Sequence, residues 1–287
     1  MEEIPTQVHA ISLDELKKIT KDFSSDTLIG KGSHARVFLG ELNENRKSAV
    51  KMLYCPNFAV KELGKEFLSQ VQSISRLEHN NVVQLLSYCI KGNIRALVYE
   101  YSSRGSLHDN LHVKFKFFLF LITGKKGVVG AQPERALSWA QRVNIALSSA
   151  EALEFIHEKA EPCITPRVIK SSDILLFDNE VAKIIGDGGV FESDPDATID
   201  PRIEYRYHAS TALSCYCAPE YIVTGEFSNK SDIFSFGIVL LELLTGRKAF
   251  DRTRPRDHHL MSWATRRFRK GKGAPVRGSK TWRRIPS

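Results

Sequence analysis

Thr27-Leu28-Ile29-Gly30-Lys31-Gly32-Ser33-His34-Ala35-Arg36-Val37-Phe38-Leu39-Gly40, followed by Ser48-Ala49-Val50-Lys51-Met52-Leu53, is the stretch that decides the architecture. Short alternating runs at 27–30, 36–40 and 48–53, with turn residues between them, read as successive antiparallel strands. Downstream, residues 62–78 place Leu63, Phe67, Val71, Ile74 and Leu77 at helical spacing, so one helix with one apolar stripe is expected. Strands follow at 82–90 and 95–99. Upstream, Ser12-Leu13-Asp14-Glu15 has the form of a capping box and opens a short helix through Lys18. Beyond the strands, 137–157 is helical in pattern and 233–244 is a second, more thoroughly apolar helix. The first third is strand-rich and the rest helix-rich, which predicts an α+β fold of two lobes joined near Glu100-Tyr101-Ser102, without internal repeats.

The bulk numbers fit that reading. At 287 residues, 42% hydrophobic and 26% charged, the chain is large enough for one big or two closely packed cores. The net charge of +8 is local: residues 266–287 hold nine Lys or Arg and no acid, leaving 32 basic against 33 acidic residues elsewhere. A near-neutral body gives no support for specific nucleic-acid binding. Five scattered cysteines (Cys55, Cys89, Cys163, Cys215, Cys217) form neither a disulfide framework nor a pair of metal hooks, so a reducing compartment is expected. Met1-Glu2-Glu3 has no apolar signal core and no myristoylated glycine.

Taken together and in this order, Gly30-x-Gly32-x-x-Ala35-x-Val37, Ala49-Val50-Lys51, Ala218-Pro219-Glu220 and Lys230-Ser-Asp232-Ile-Phe-Ser-Phe-Gly237 resemble the signposts of a eukaryotic protein kinase over residues 24–264. Leu137-Ser-Trp-Ala-Gln-Arg-Val, Ile169-Lys-Ser-Ser and Leu240-Leu-Glu-Leu-Leu-Thr-Gly-Arg-Lys are similar to the Pto-interacting group of plant receptor-like cytoplasmic kinases. The resemblance implies a strand-rich small lobe at 24–101 and a helical large lobe at 102–264, after an N-terminal extension at 1–23. It also implies a C-lobe that stops short of its last helices, leaving Glu220 without its usual arginine.

The same resemblance implies ATP contacts from Gly30, Gly32, Val37, Ala49, Lys51, Tyr99, Glu100, Tyr101 and Leu175. Two glycines let backbone amides approach phosphate oxygens unobstructed, and a strand lysine reaches the α- and β-phosphates. The glutamate that normally holds that lysine is replaced by Gln70, which offers an acceptor but no charge. Glu66 and Glu62 lie one and two helical turns back.

The transfer chemistry is where the chain departs from the family pattern. His-Arg-Asp followed five residues later by Asn is represented by Pro166-Arg167-Val168 and Asp173. Valine cannot orient or deprotonate an incoming hydroxyl, and losing a positioned base costs roughly 10²–10⁴-fold. Spacing aligns Gly186 with the metal-binding aspartate and Asp187 with the phenylalanine that follows it. A one-residue slip among flanking glycines would bring Asp187 to the metal, and Asp173 retains an oxygen ligand for magnesium. Pro166 and Asp187 also interrupt the apolar column that links the lobes in active relatives, so Asp187 is expected to turn outward. Leu213 replaces the threonine of the substrate platform.

Two segments are irregular. Residues 113–123, Val-Lys-Phe-Lys-Phe-Phe-Leu-Phe-Leu-Ile-Thr, read either as a membrane or partner wedge or as an accidental insertion; the run is too short to span a bilayer. Residues 265–287 read as a disordered basic tail that either contacts nucleic acid or an anionic membrane or reflects an altered frame or early stop.

Three functional readings follow. The first is an ATP-binding pseudokinase, cytoplasmic or peripheral at the plasma membrane, that regulates or scaffolds plant receptor and defence signalling through contacts with active kinases or receptor kinases. The second is a weakly active Ser/Thr kinase using Lys51, Lys170, Asp173 and Asp187. The third is a truncated, non-functional product.

Overall fold

The computed structural model describes residues 8–32, 35–43, 46–53, 62–112, 136–161, 163–166, 168–178, 180–186, 215–254 and 258–269. The readings made for Asp187, Leu213, the insertion 113–123, the basic end beyond 269 and the side chains of Glu62, Leu63 and Glu66 lie outside what is described.

The small lobe is a six-stranded sheet in the order β1-β5-β6-β4-β3-β2. Its strands are β1 (His9–Ala10), β2 (Leu28–Lys31), β3 (Ala35–Asn43), β4 (Arg46–Leu53), β5 (Leu85–Lys91) and β6 (Ile94–Glu100). All neighbours are antiparallel except β1, which lies parallel to β5 at one edge. Because side chains alternate along a strand, the sheet serves two cores. On one face Phe38, Val50, Ala96 and Val98 pack against Leu16 and Ile19 of helix α1 (Leu13–Ile19). On the other, Leu53, Leu97 and Tyr99 pack against Phe67, Val71 and Ile74 of helix α2 (Glu62–Ser75). Each fully buried Phe or Leu adds about 1.5–3 kcal/mol relative to exposure. The alternation also puts Ala49, Lys51 and Leu53 on the α2 side of β4.

The large lobe contains α3 (Leu107–His112), α4 (Trp139–Glu154), β7 (Ile174–Leu176), β8 (Ala182–Ile184), α5 (Pro219–Thr224), α6 (Asn229–Thr245) and α7 (Leu260–Arg269). Its core joins α4, α6 and the β7–β8 hairpin through Leu153, Val239, Ile174 and Ile184. A buried hydrogen bond fastens α6 to the helical turn Phe155–Lys159 that continues α4: His157 Nε2 lies 3.0 Å from Asp232 Oδ2. Burial raises the Asp232 carboxyl above its usual range, and the histidine bond opposes that shift. Among the described residues no helix is long and apolar enough to cross a membrane.

Several boundaries differ from expectation for local physical reasons. Ser12 accepts the Glu15 N–H as the N-cap of α1. The second helix ends at Ser75, so Leu77 packs from the turn beyond it. Val82 makes only a single parallel bridge to Ile184, and the strand begins at Leu85. The long C-lobe helix begins after Ser138, whose hydroxyl accepts the Gln141 N–H at 3.2 Å while the Gln141 side chain accepts the Ser138 N–H at 2.9 Å. Ser138→Ala is expected to lower unfolding free energy by about 1 kcal/mol, measurable as a shifted urea midpoint. The basic end is also not uniformly irregular. α7 carries helix through Arg269 because Leu260, Trp263 and Ala264 bury one face, and Arg247 stacks over Trp263 at 4.1 Å.

Candidate functional site

The cleft between the lobes begins at the glycine-rich hairpin. β2 and β3 pair Gly30 with Val37 and Lys31 with Arg36, and the Gly32 N–H donates to the Ala35 carbonyl at 2.8 Å. A Cβ on Gly30 would sit 3.4 Å from the Val37 Cβ, an ordinary contact distance. Lys51 lies opposite Val37 on one side and Leu97 on the other, and Ala49 lies opposite Tyr99. From below, Leu175 and Ile185 pack against the same cluster that holds Ala49 and the buried Tyr99. Ala49, Tyr99 and Leu175 thus share one apolar cluster, and Lys51 follows Ala49 on the same face of β4.

Glu100 does more than line the crossing. Its Oε1 accepts the Gln84 N–H at 2.9 Å and the Lys183 ammonium at 2.7 Å, so the carboxylate ties the small lobe to β8. Ser102 donates to the Leu176 carbonyl and Ser103 to Asp178, fixing the connection a second time. Burial raises the Tyr101 phenol, and Asp178 adds to it. Gln70 is buried on α2.

The transfer loop is built differently. Pro166 is buried, and its carbonyl accepts the Val168 N–H at 3.0 Å. Val168 is half-buried, packed against the cluster of Cys217, Ala218 and Tyr221, to which Phe227 and Phe234 also belong. The side chain at the base position is thus part of an apolar contact between the loop and the segment Ala218-Pro219-Glu220. Glu220 itself is exposed. Ile169 is held by its N–H to the Ser235 hydroxyl at 2.9 Å. Asp173 Oδ2 accepts the Lys170 N–H at 3.2 Å, and Oδ1 lies 3.9 Å from the Lys170 ammonium.

The pairing of Ile174 with Ile184 sets Gly186 two residues past the β8 partner, and the Ile185 N–H donates to the Asp173 carbonyl at 3.0 Å. Gly186 is buried. A Cβ there would lie 2.7 Å from Leu77 Cδ1, 3.6 Å from Val82 Cγ1 and 3.8 Å from Ile156 Cδ1. The direction in which a metal-binding side chain would leave the backbone therefore points into the core. Among the described residues Asp173 keeps a carboxylate at one of the expected magnesium positions and Gly186 offers none at the other, while Asp187 lies outside what is described.

Sequence reasoning missed a buried polar network beneath the loop. Glu242, fully buried on α6, accepts the Tyr216 hydroxyl at 2.7 Å and the Ala249 N–H at 3.2 Å, and its Oε1 lies 2.8 Å from His112 Nε2. Ser171 bridges upward, 3.2 Å from the Tyr216 hydroxyl and 3.4 Å from His108 Nδ1. Burial, then Glu242, pushes the Tyr216 phenol far above its ordinary range, while burial lowers His108. The His-x-x-x-His spacing at 108 and 112 was the available signal.

Comparison with known proteins gives a consistent set of matches. The family model for protein tyrosine and serine/threonine kinases matches residues 23–277. Three proteins of Arabidopsis thaliana are similar to this chain. A probable receptor-like protein kinase is 48% identical over 264 residues, covering 91% of this chain and 66% of the relative. PTI1-like tyrosine-protein kinase 3 is 46% identical over 268 residues, covering 92% and 61%. PTI1-like tyrosine-protein kinase 1 is 45% identical over 274 residues, covering 94% and 70%. The chain spans about two thirds of the length of the curated relatives it matches.

Proposed function

The chain belongs to the protein tyrosine and serine/threonine kinase family, and from that premise we propose that it is a pseudokinase, a protein that holds ATP but does not transfer its phosphate efficiently. The observation that carries this reading is the pair of positions where the chemistry should stand. Val168 is committed to an apolar contact with Ala218 and Tyr221, and Gly186 opens toward Leu77 rather than toward a metal. The nucleotide slot, by contrast, keeps its walls, and Lys51 stands at its edge. ATP binds between Ala49 and Leu175, with Tyr99, Glu100 and Tyr101 at the back and crossing, and Gly30, Gly32 and Val37 covering the phosphates. When bound, the nucleotide supplies a phosphoryl group that this chain orders without activating an acceptor.

The function is then regulatory. The protein acts through contacts with active kinases or receptor kinases in plant receptor and defence signalling, from the cytoplasm and at the inner face of the plasma membrane. Val223 and Ile233, 77% and 55% exposed beside the Val168 cluster, support a protein-binding face there.

The test is a thermal melt. ATP at about 100 times its dissociation constant stabilises a folded protein by roughly 2.7 kcal/mol. The expected result is an ATP-dependent rise in melting temperature, measured with and without magnesium, that disappears in Lys51→Ala. No rise in either buffer contradicts the reading.

A second reading, a weak Ser/Thr kinase, is favoured by one feature: the Lys170 ammonium stands 3.9 Å from Asp173 beside the position of the missing base. In a loose transition state, positioning and charge do most of the work. Under that reading Asp173→Ala abolishes a slow, Lys51-dependent transfer; under the pseudokinase reading there is no such transfer to abolish.

A further inference from the structure

The cluster beneath the loop has a composition that the nucleotide chemistry does not use. His108 and His112 stand four residues apart on α3, so both rings project from one side of a single helical turn, their centroids 4.9 Å apart. Glu242 of α6 faces them from the other side of the core. One donor atom from each of the three residues lies within 4.8 Å of the others. His112 and Glu242 side chains are 2% and 0% exposed.

We propose that His108, His112 and Glu242 form a zinc site that pins α3 to α6. Two imidazoles and one carboxylate are the donor set of an open tetrahedral zinc centre, with ligand bonds of about 2.0–2.2 Å. The outer shell is already in place. Glu242 uses its other oxygen to accept the Tyr216 hydroxyl, and Ala249 N–H steadies the oxygen that faces His112. Such partners fix a ligand's orientation and raise its basicity. Ser171 Oγ lies 3.4 Å from His108 Nδ1, and the fourth position is left to a solvent molecule.

Zinc entry replaces the direct His112–Glu242 hydrogen bond, opening 2.8 Å to about 3.3 Å as both atoms turn to the metal. The proton between them moves to the second ring nitrogen or to solvent. The bound ion then couples three pieces of the large lobe: the helix after the interlobe crossing, the central helix α6, and, through Tyr216 and Ser171, the loop that carries Val168.

The experiment titrates chelator-treated full-length protein with zinc against a chromophoric competitor, and with cobalt to read the coordination spectrum. The exposed face offers a rival, because Cys215 Sγ lies 3.2 Å from His259 Nδ1. The arms are therefore wild type, His108→Ala and Cys215→Ser. His108 is the outermost of the three ligands, so its removal leaves the Glu242–Tyr216 core bonded; circular dichroism confirms that each variant folds. One equivalent of zinc, a tetrahedral cobalt band without thiolate charge transfer, and affinity about 100-fold weaker in His108→Ala but unchanged in Cys215→Ser support the site. Equal affinity in His108→Ala, loss in Cys215→Ser, or no zinc binding overturns it and leaves a plain hydrogen-bonded network.

Discussion

Replacing Gly186 with aspartate is expected to destabilise the protein by about 3 kcal/mol and to leave phosphoryl transfer absent. The new Cβ would meet Leu77 Cδ1 at 2.7 Å, a contact the leucine relieves by turning its flexible end. The larger effect is electrostatic. The carboxylate would emerge among Leu77, Val82 and Ile156, three apolar side chains, and an unpaired buried charge is penalised by several kcal/mol. Gly186→Ala separates the two terms, since it keeps the steric contact without the charge, and is expected to lose about 1 kcal/mol. Val168→Asp, at a half-buried site, loses roughly 2 kcal/mol because it places a carboxylate against Cys217, Ala218 and Tyr221. Urea denaturation of the three variants measures these differences. The double variant Val168→Asp/Gly186→Asp should regain no activity, since its two carboxylates enter apolar neighbourhoods. A double variant as stable as wild type and active would show that both slots still face the cleft.

Glu242→Ala is the other large expected effect, a loss of about 4 kcal/mol in chelator-containing buffer. Truncation removes from the Tyr216 hydroxyl and the Ala249 N–H the carboxylate they donate to, and leaves His112 without that neighbour, in a buried site. Each buried group left unsatisfied costs about 1–3 kcal/mol, and the lost side-chain volume adds to it. Glu242→Gln keeps an acceptor oxygen and most of the volume, so its loss should be near 1–2 kcal/mol. Equal losses in the two variants would mean that packing, not the polar network, sets the value of this residue.

Much of this architecture was legible along the chain because its signals are local. Alternation at 48–53 and 95–99 recovered the central strands, which pair as β4 and β6 and carry Ala49, Lys51 and Tyr99 to the cleft. Helical spacing of Phe67, Val71 and Ile74 recovered α2 and its buried face. Short or composition-masked elements escaped. α3 has only six residues, too few for a period to emerge, yet it holds both histidines of the buried cluster. The second half of α7, residues 265–269, was read as part of a basic tail because three of those five residues are arginine, though the helix starts at Leu260 and Leu260, Trp263 and Ala264 share one buried face. At the site, the sequence placed Val168 and Gly186 where the family pattern has the base and the metal aspartate. It could not reveal that Val168 had joined a second apolar cluster or that Gly186 faces Leu77, because those facts depend on contacts with residues far away in the chain. Glu100 shows the same limit: its bridge to Lys183 spans the two lobes and has no local signature.

The central claim is that a nucleotide site persists without a transfer site. It is tested most directly by incubating purified protein with magnesium and ATP labelled at the γ-phosphate, then following the label onto the protein itself and onto a generic hydroxyl-bearing substrate, with Lys51→Ala in parallel. The account predicts that wild type and Lys51→Ala give the same background, while ATP shifts the melting temperature of wild type alone. Label transfer by wild type that Lys51→Ala abolishes would contradict it.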